Sequence, residues 1–236
     1  MSIAVVTGGT QGIGLACATA LAAAGHEVFC LARRAPASAL AARLHYLACD
    51  VADREAVNSA FAAIAANTGR IDVLVNNAGI AGSEDLSAAD DAVWDAQIAV
   101  NLSGAYRCTR AALPLMTGQA GRIVFIASVL GLHAVPDQIA YCASKHGVVG
   151  LARAFALALA PRGITVNAIC PGWVDTAMAR ARHVELGISA EQAAAGTPAG
   201  AMAQPDEIAA MVMHLCSPLS RNLTGQAIVM DGGSFA

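Results

Sequence analysis

One lysine stands against thirteen arginines in this chain of 236 residues. It is Lys145, in the run Tyr141-Cys142-Ala143-Ser144-Lys145. On a helix, the four-residue spacing puts Tyr141 and Lys145 on one face. A free phenol titrates at about 10, too high for easy proton exchange at neutral pH. A neighbouring ammonium favours the phenolate and is expected to lower that value, which is general acid–base tuning. A compact, tunable ammonium is what lysine offers and arginine does not. By itself, the pair reads equally well as an exposed Tyr/Lys couple on a helix. Ser128 follows the apolar run Arg122–Ala127, where its hydroxyl can donate to a carbonyl oxygen. Its surroundings, Ile126-Ala127-Ser128-Val129, lack the G-x-S-x-G elbow of a hydrolase nucleophile.

A second constellation opens the chain: Thr7-Gly8-Gly9-Thr10-Gln11-Gly12-Ile13-Gly14. The glycines permit a tight turn and close backbone approach to a pyrophosphate. A helix that follows would aim its free N–H groups at the phosphates. The loop gains weight from its context, after a strand-like run and before a helical one.

These residues need a frame. Strand-like runs are Ile3–Thr7, Val28–Leu31, Tyr46–Cys49, Ile71–Val75, Arg122–Ala127, Thr165–Cys170 and Ala227–Val229. Helical stretches alternate with them: Gln11–Ala24, Arg54–Asn67 behind Asp53 as N-cap, Asp90–Met116 broken near Pro114, Ala140–Ala160, and Pro205–Cys216. The alternation predicts an α/β fold, one Rossmann-like doubly wound parallel sheet of about seven strands with helices on both faces. Nothing splits the chain, so 1–236 is read as one domain, with Asp175–Gln204 as a helical lid or a plain surface excursion.

With the elements ordered, the sequence resembles the short-chain dehydrogenase/reductase family over essentially its whole length. Gly8, Gly12 and Gly14 give that family's G-x-x-x-G-x-G spacing, and Asn76-Asn77-Ala78-Gly79 gives its motif after the fourth strand. Asn101, Ser128, Tyr141 and Lys145 match its catalytic tetrad, and Pro171-Gly172 with Thr176 match its segment after the sixth strand. Asp231-Gly232-Gly233 matches its C-terminal pattern. The resemblance implies a nicotinamide cofactor held by Gly8, Thr10, Gln11, Gly12, Ile13 and Gly14, with Asp50 and Val51 at the adenine. It further implies Asn77, Ala78 and Gly79, the pair Tyr141 and Lys145, and Pro171, Gly172, Val174 and Thr176 towards the nicotinamide. It gives Asn101 the role of holding a water that links Lys145 to solvent. The residue alone reads equally as a helix-bending polar group.

The end of the second strand reads Leu31-Ala32-Arg33-Arg34, without a carboxylate to bond a ribose hydroxyl and repel a 2′-phosphate. Arg33 and Arg34 suit a phosphate, so NADP(H) is favoured, with NAD(H) possible. His133 and Trp173 are candidates to edge the substrate pocket. His146 is expected on the packed face of its helix, and Cys142 to turn away and stay inert.

Composition closes other classes. Hydrophobic residues make up 56% and charged residues 13%, with a net charge of -3, which excludes disorder. Arg33-Arg34 is the longest basic run, against a nucleic-acid partner. A membrane span needs about 20 apolar residues, and Val148–Ala160 is cut by Arg153. The first residues carry no charged n-region, and seven cysteines without a Cys-x-x-Cys pair read as free thiols, so a cytoplasmic protein without a metal site is expected.

The resemblance points to the 3-oxoacyl-reductase type of ketoreductase, with a small ketone or acyl thioester as substrate. Thr117-Gly118-Gln119-Ala120-Gly121 is uncharged where that branch is often basic, leaving Arg122, Arg153 and Arg162 for a weaker basic face. The alternatives are a secondary-alcohol dehydrogenase working oxidatively, and a non-catalytic nucleotide-binding regulatory protein, which the intact tetrad disfavours. A homotetramer is implied, pairing the helices that begin near Asp90 and Ala140 and the last strand, with Leu151, Phe155 and Leu159 as an apolar exterior.

Overall fold

The segment Ile-Ala-Val-Val-Thr (β1, Ile3–Thr7) is buried at all five positions. A parallel strand covered on both faces requires this. The same logic runs through β2 (Glu27–Ala32), β4 (Val73–Asn76), β5 (Arg122–Ile126) and β6 (Thr165–Pro171). β3 (Leu44–Ala48) and β7 (Ala227–Met230) form the edges. The structure, a computed structural model, describes residues 2–84, 86–87, 90–118 and 120–235. Gln119 of the uncharged stretch lies outside them.

The seven strands form one sheet in the order β3-β2-β1-β4-β5-β6-β7, every pairing parallel. The order reverses between β1 and β4, and open α/β sheets bind ligands in the crevice outside the carboxyl ends at such a switch. One face is covered by α1 (Gly12–Ala23) and α8 (Pro205–Cys216), through Cys17, Leu21, Ile208, Val212 and Leu215. The other face is covered by α2 (Arg54–Thr68), α4 (Ala105–Ala112) and α5 (Ile139–Leu159), through Phe61, Ile64, Cys108, Val148 and Ala152.

The local signals act as read. Asp53 caps α2, its Oδ1 accepting from Glu55 N at 2.8 Å and Ala56 N at 3.3 Å. Gln204 and Glu207 form a capping box ahead of Pro205. The expected helix over Asp90–Met116 differs. It starts as α3 (Ala92–Gln97), widens into a π-helical segment over Ile98–Gly104, resumes as α4 and ends at Ala112, with Pro114 in a turn. Its physical reason appears at the site below. The stretch 175–204 holds two short helices, α6 (Ala177–Leu186) and α7 (Ala190–Ala195), the first capped by the Thr176 hydroxyl.

Three exposure expectations are corrected. His146 is exposed, its Nδ1 at 2.9 Å from the Cys142 carbonyl oxygen on its own helix. Leu159 is buried against the sheet, so it offers no exterior surface. Arg122 is buried too, bound to the carbonyls of Ala120 and Gly121, and adds nothing to a basic face. The cysteines are free thiols, six of them buried, and burial raises those of Cys17, Cys30 and Cys49 to about 11 or 12. Among the described residues no helix is long and apolar enough to cross a membrane.

Candidate active site

The carboxyl ends of β1 and β4 are stitched together. Thr7 Oγ1 accepts from the amides of Asn77 at 2.9 Å and Ala78 at 3.0 Å. Asn77 Nδ2 donates back to the carbonyls of Thr7 at 3.0 Å and Gly8 at 3.3 Å. The turn fits so closely that a Cβ on Gly14 would lie 2.2 Å from the Gly8 oxygen. Gly8 and Gly12 sit at φ of 66° and 52°, a region that L side chains avoid. This cradle, narrow and ending on the N-terminus of α1, has the shape and the free N–H groups that a pyrophosphate needs. Thr10 and Ile13 are half-buried and Gln11 exposed beside it. Thr176 approaches from the far side, its Cγ2 3.6 Å from a Cβ placed on Gly12.

Asp50 is half-buried and accepts from Ala52 N at 2.9 Å. Val51 is buried, and a Cβ on Gly104 would meet its Cγ2 at 2.8 Å. Arg33 and Arg34 lie exposed just beyond β2. At the other end, Pro171 closes β6 and Gly172 N donates to Met230 O at 3.0 Å. Val174 is buried next to Thr176.

The four tetrad positions converge at the ends of β4 and β5 and the start of α5. Asn101 sits inside the π-helical segment, 2% exposed. Its Oδ1 accepts from Ile80 N at 2.8 Å, and its Nδ2 donates to Ile80 O at 2.9 Å and Ser144 Oγ at 3.1 Å. That two-way clamp satisfies both polar groups of the half-buried Ile80 backbone from within the wider turn. Ser144 Oγ in turn donates to the Tyr141 carbonyl at 2.8 Å. Ser128 is buried, its Oγ accepting from Leu130 N at 3.1 Å and lying in hydrogen-bond contact with the Tyr141 phenol. Lys145 is buried, its Nζ donating to Ile126 O at 2.9 Å and standing 5.5 Å from the Tyr141 ring centroid. Asn101 Oδ1 and Lys145 Nζ both come within 3.7 Å of a Cβ placed on Gly79.

The electrostatics correct one expectation. Burial pushes the Tyr141 phenol up to about 12, with the Ser128 hydrogen bond pulling the other way. Burial also brings Lys145 down to about 8. The protein environment therefore disfavours both charged forms, and the ammonium does not by itself create a phenolate. Of the two groups, the lysine titrates nearer neutrality.

Of the two pocket-edge candidates, His133 is exposed with its ring stacked on Phe235 at 4.3 Å. Trp173 is half-buried, its ring 4.6 Å from that of His183 on α6. Sequence reasoning missed the Thr7 hydroxyl, which anchors two amides 70 and 71 residues away. It also missed Arg182, which binds groups on three segments. A β-strand threonine and a helix arginine carry no spacing signal that would reveal either.

The profile of a family described as enoyl-(acyl carrier protein) reductase matches residues 8–234. The chain belongs to the short-chain dehydrogenase/reductase family, and it is an oxidoreductase that works with a nicotinamide cofactor. It is 38% identical to the 3-oxoacyl-(acyl-carrier-protein) reductase MabA of Mycobacterium tuberculosis, over 97% of this chain and 91% of that one. It is 39% identical to the D-beta-hydroxybutyrate dehydrogenase of Cupriavidus necator, over 99% and 97%. A solved single-substitution variant of actinorhodin polyketide ketoreductase with NADPH superposes with a TM-score of 0.91 at 36% identity, over 99% and 97%.

Proposed function

We propose that this protein is an NADPH-dependent carbonyl reductase that converts a 3-oxoacyl thioester, ester or similar ketone to a secondary alcohol. The observation that carries this reading is the convergence of buried Ser128 with Tyr141, over whose ring the buried Lys145 ammonium stands at 5.5 Å, at the carboxyl edge of the sheet. Ser128 and Tyr141 hold the carbonyl oxygen. Tyr141 gives it a proton, and Lys145 restores that proton to the phenol. Asn101 keeps the Ile80 turn and α5 in register and supports the relay to solvent. The glycine cradle, Asn77, Ala78 and Gly79 hold the cofactor, with Asp50 and Val51 at the adenine and Pro171, Gly172, Val174 and Thr176 at the nicotinamide end. When bound, the nicotinamide supplies the hydride to the carbonyl carbon. Trp173 and His133 border the substrate, and 175–204 closes over it as a lid within one 1–236 domain.

Exposed Arg33 and Arg34, with no carboxylate at the end of β2, favour NADP(H) over NAD(H). A cytoplasmic homotetramer fits this reading. The similarity to a hydroxybutyrate dehydrogenase supports a second reading, oxidation of a secondary alcohol with NAD or NADP.

The test is oxidation of NADPH beside NADH with ethyl acetoacetate and a panel of small ketones. Faster turnover with NADPH and the 3-oxo ester is the expected result. Activity only with an alcohol and NAD moves the assignment to the second reading. Tyr141→Phe is expected to abolish turnover and keep NADPH binding, and substantial turnover by that variant overturns the site.

A further inference from the structure

Among the described residues, most arginine ion pairs are local and wet. Arg180 pairs with Asp175 five residues back at 60% side-chain exposure, and Arg70 with Asp72 at 52%. Exposed pairs of this kind contribute little. Arg182 differs in reach: its own side chain is 12% exposed, and it holds partners on separate segments, Asp137 and Glu185, that are 43% and 46% exposed. Its Nη2 pairs with Asp137, in the loop before α5. Its Nη1 donates to Ser83 Oγ at 2.6 Å, in the loop after β4, and to Glu185 Oε2 at 2.9 Å on its own helix. Ser83 Oγ donates to the same Glu185 oxygen at 3.0 Å. The two loops are also bound to each other. Glu84 N donates to Asp137 O at 3.2 Å, and the Glu84 carboxylate accepts from Ala140 N at 2.5 Å, one residue before Tyr141. The Arg182 hydrogen bonds hold the Asp137 and Glu185 carboxyls below their usual range, so both are charged at neutral pH.

We propose that Arg182 is a positioning residue of the reductase: one guanidinium fastens α6 to the loop after β4 and to the loop that leads into Tyr141 on α5, and so sets how the ketone is admitted and retained. The proposal rests on the reading of Tyr141 as proton donor given above. The planar fork of arginine holds carboxylates on two different elements in fixed directions, whereas an ammonium on a flexible stem sets no such geometry. On this proposal the ketone's route runs between α6 and these loops, so that its entry parts the contacts and closure over it restores them. Binding of the substrate is then coupled to the latch, while the proton and hydride transfers at Tyr141 are not.

The test compares wild type, Arg182→Met, Arg182→Lys and Ser83→Ala at saturating NADPH with a neutral ketone, ethyl acetoacetate. Loss of the latch in Arg182→Met is expected to raise KM about tenfold with kcat changed less than about twofold, the scale of a lost charge-assisted contact. Arg182→Lys falls between the two, and Ser83→Ala gives a smaller rise. Raising KCl from about 0.05 to 0.5 M is expected to increase the KM of wild type and leave that of Arg182→Met unmoved, since salt screens the same pairs. Hydrogen exchange, with and without NADPH, is expected to quicken in 177–195 alone. Wild-type KM, salt response and exchange in Arg182→Met overturn the proposal, as does exchange quickened throughout the sheet, which marks a general folding role. If wild type reduces no ketone, the functional reading fails, and the exchange comparison still decides whether Arg182 fastens α6.

Discussion

Lys145 donates to the carbonyl oxygen of Ile126 at 2.9 Å, pinning α5 to β5 and holding a buried amine 5.5 Å from the ring of Tyr141, the proposed proton donor. Burial brings that amine to about 8 and raises the Tyr141 phenol to about 12. As pH rises through about 8, Lys145 loses its proton while Tyr141 keeps its own. Reduction that draws its proton through Lys145 is therefore flat below that pH and falls about tenfold per unit above it. A kcat/KM profile with saturating NADPH checks this. Arg182 and the 175–204 segment play no part in it. The variant Lys145→Arg keeps its charge across this range, so its descending limb is expected to move upward although its rate is lower. The sign for stability is the reverse. A lysine held below its ordinary value costs folding energy at low pH, and that cost fades as pH rises from about 8 towards the usual lysine range.

Two glycines in helices predict opposite outcomes. A Cβ on Gly14 would meet the Gly8 oxygen at 2.2 Å and Asn77 Nδ2 at 2.4 Å, with rigid backbone on one side. Gly14→Ala is expected to abolish NADPH binding and lower stability by about 2 kcal/mol or more, the scale of overpacking. Gly150 lies exposed in the middle of α5 with nothing within 4 Å of an added Cβ. In the isolated subunit, Gly150→Ala is expected to raise stability by about 0.5–1 kcal/mol, through helix propensity alone. Fluorescence titration of NADPH and urea unfolding read the two effects separately.

The glycine loop and the tetrad were legible because their chemistry forces residue types into fixed local spacings. Gly14 cannot carry a side chain, and Tyr141 and Lys145 must share one helical face. The strands were legible because burial on both faces demands unbroken apolar runs such as Ile3–Thr7. What escaped depends on contacts between distant segments. The π-helical turn exists because Asn101 reaches the Ile80 backbone, 21 residues away, and Asn101 alone reads as any polar helix residue. Leu159 and Phe155 have the same apolar character in sequence, yet the first faces the sheet and is buried while the second stacks between Phe125 and Tyr106. The rise in the Tyr141 value was hidden for a related reason, because spacing shows the neighbouring ammonium and not the water removed from both groups.

Cofactor choice is testable at β2. Arg33 and Arg34 are exposed and available to a 2′-phosphate. Replacing both by Glu removes the charge-assisted contacts and adds repulsion. The KM for NADPH is expected to rise roughly 30- to 100-fold, while that for NADH changes less than about threefold, because contacts of this type carry about 2–3 kcal/mol. Equal changes for the two cofactors would show that these arginines do not read the phosphate.

The outer face of α4 and α5 predicts an assembly. Leu157 is 81% exposed, an unusual position for a leucine in a helix whose opposite face is fully packed. Tyr106 on α4 is exposed as well, its ring 6.0 Å from that of Phe155 on α5. Burying such a surface against a second copy returns about 25 cal/mol for each Å² of apolar area, and a symmetric contact counts every residue twice. A charge at Leu157 would then face its own copy or apolar side chains and disfavour association. Multi-angle light scattering is expected to give a tetramer for wild type and smaller species for Leu157→Glu, with unchanged far-UV circular dichroism. The site lies on the opposite end of α5, in its first turn, so turnover per subunit should survive dissociation wherever the isolated subunit stays folded. A wild-type monomer would remove the assembly and leave Leu157 as a solvent-facing residue with no partner to explain it.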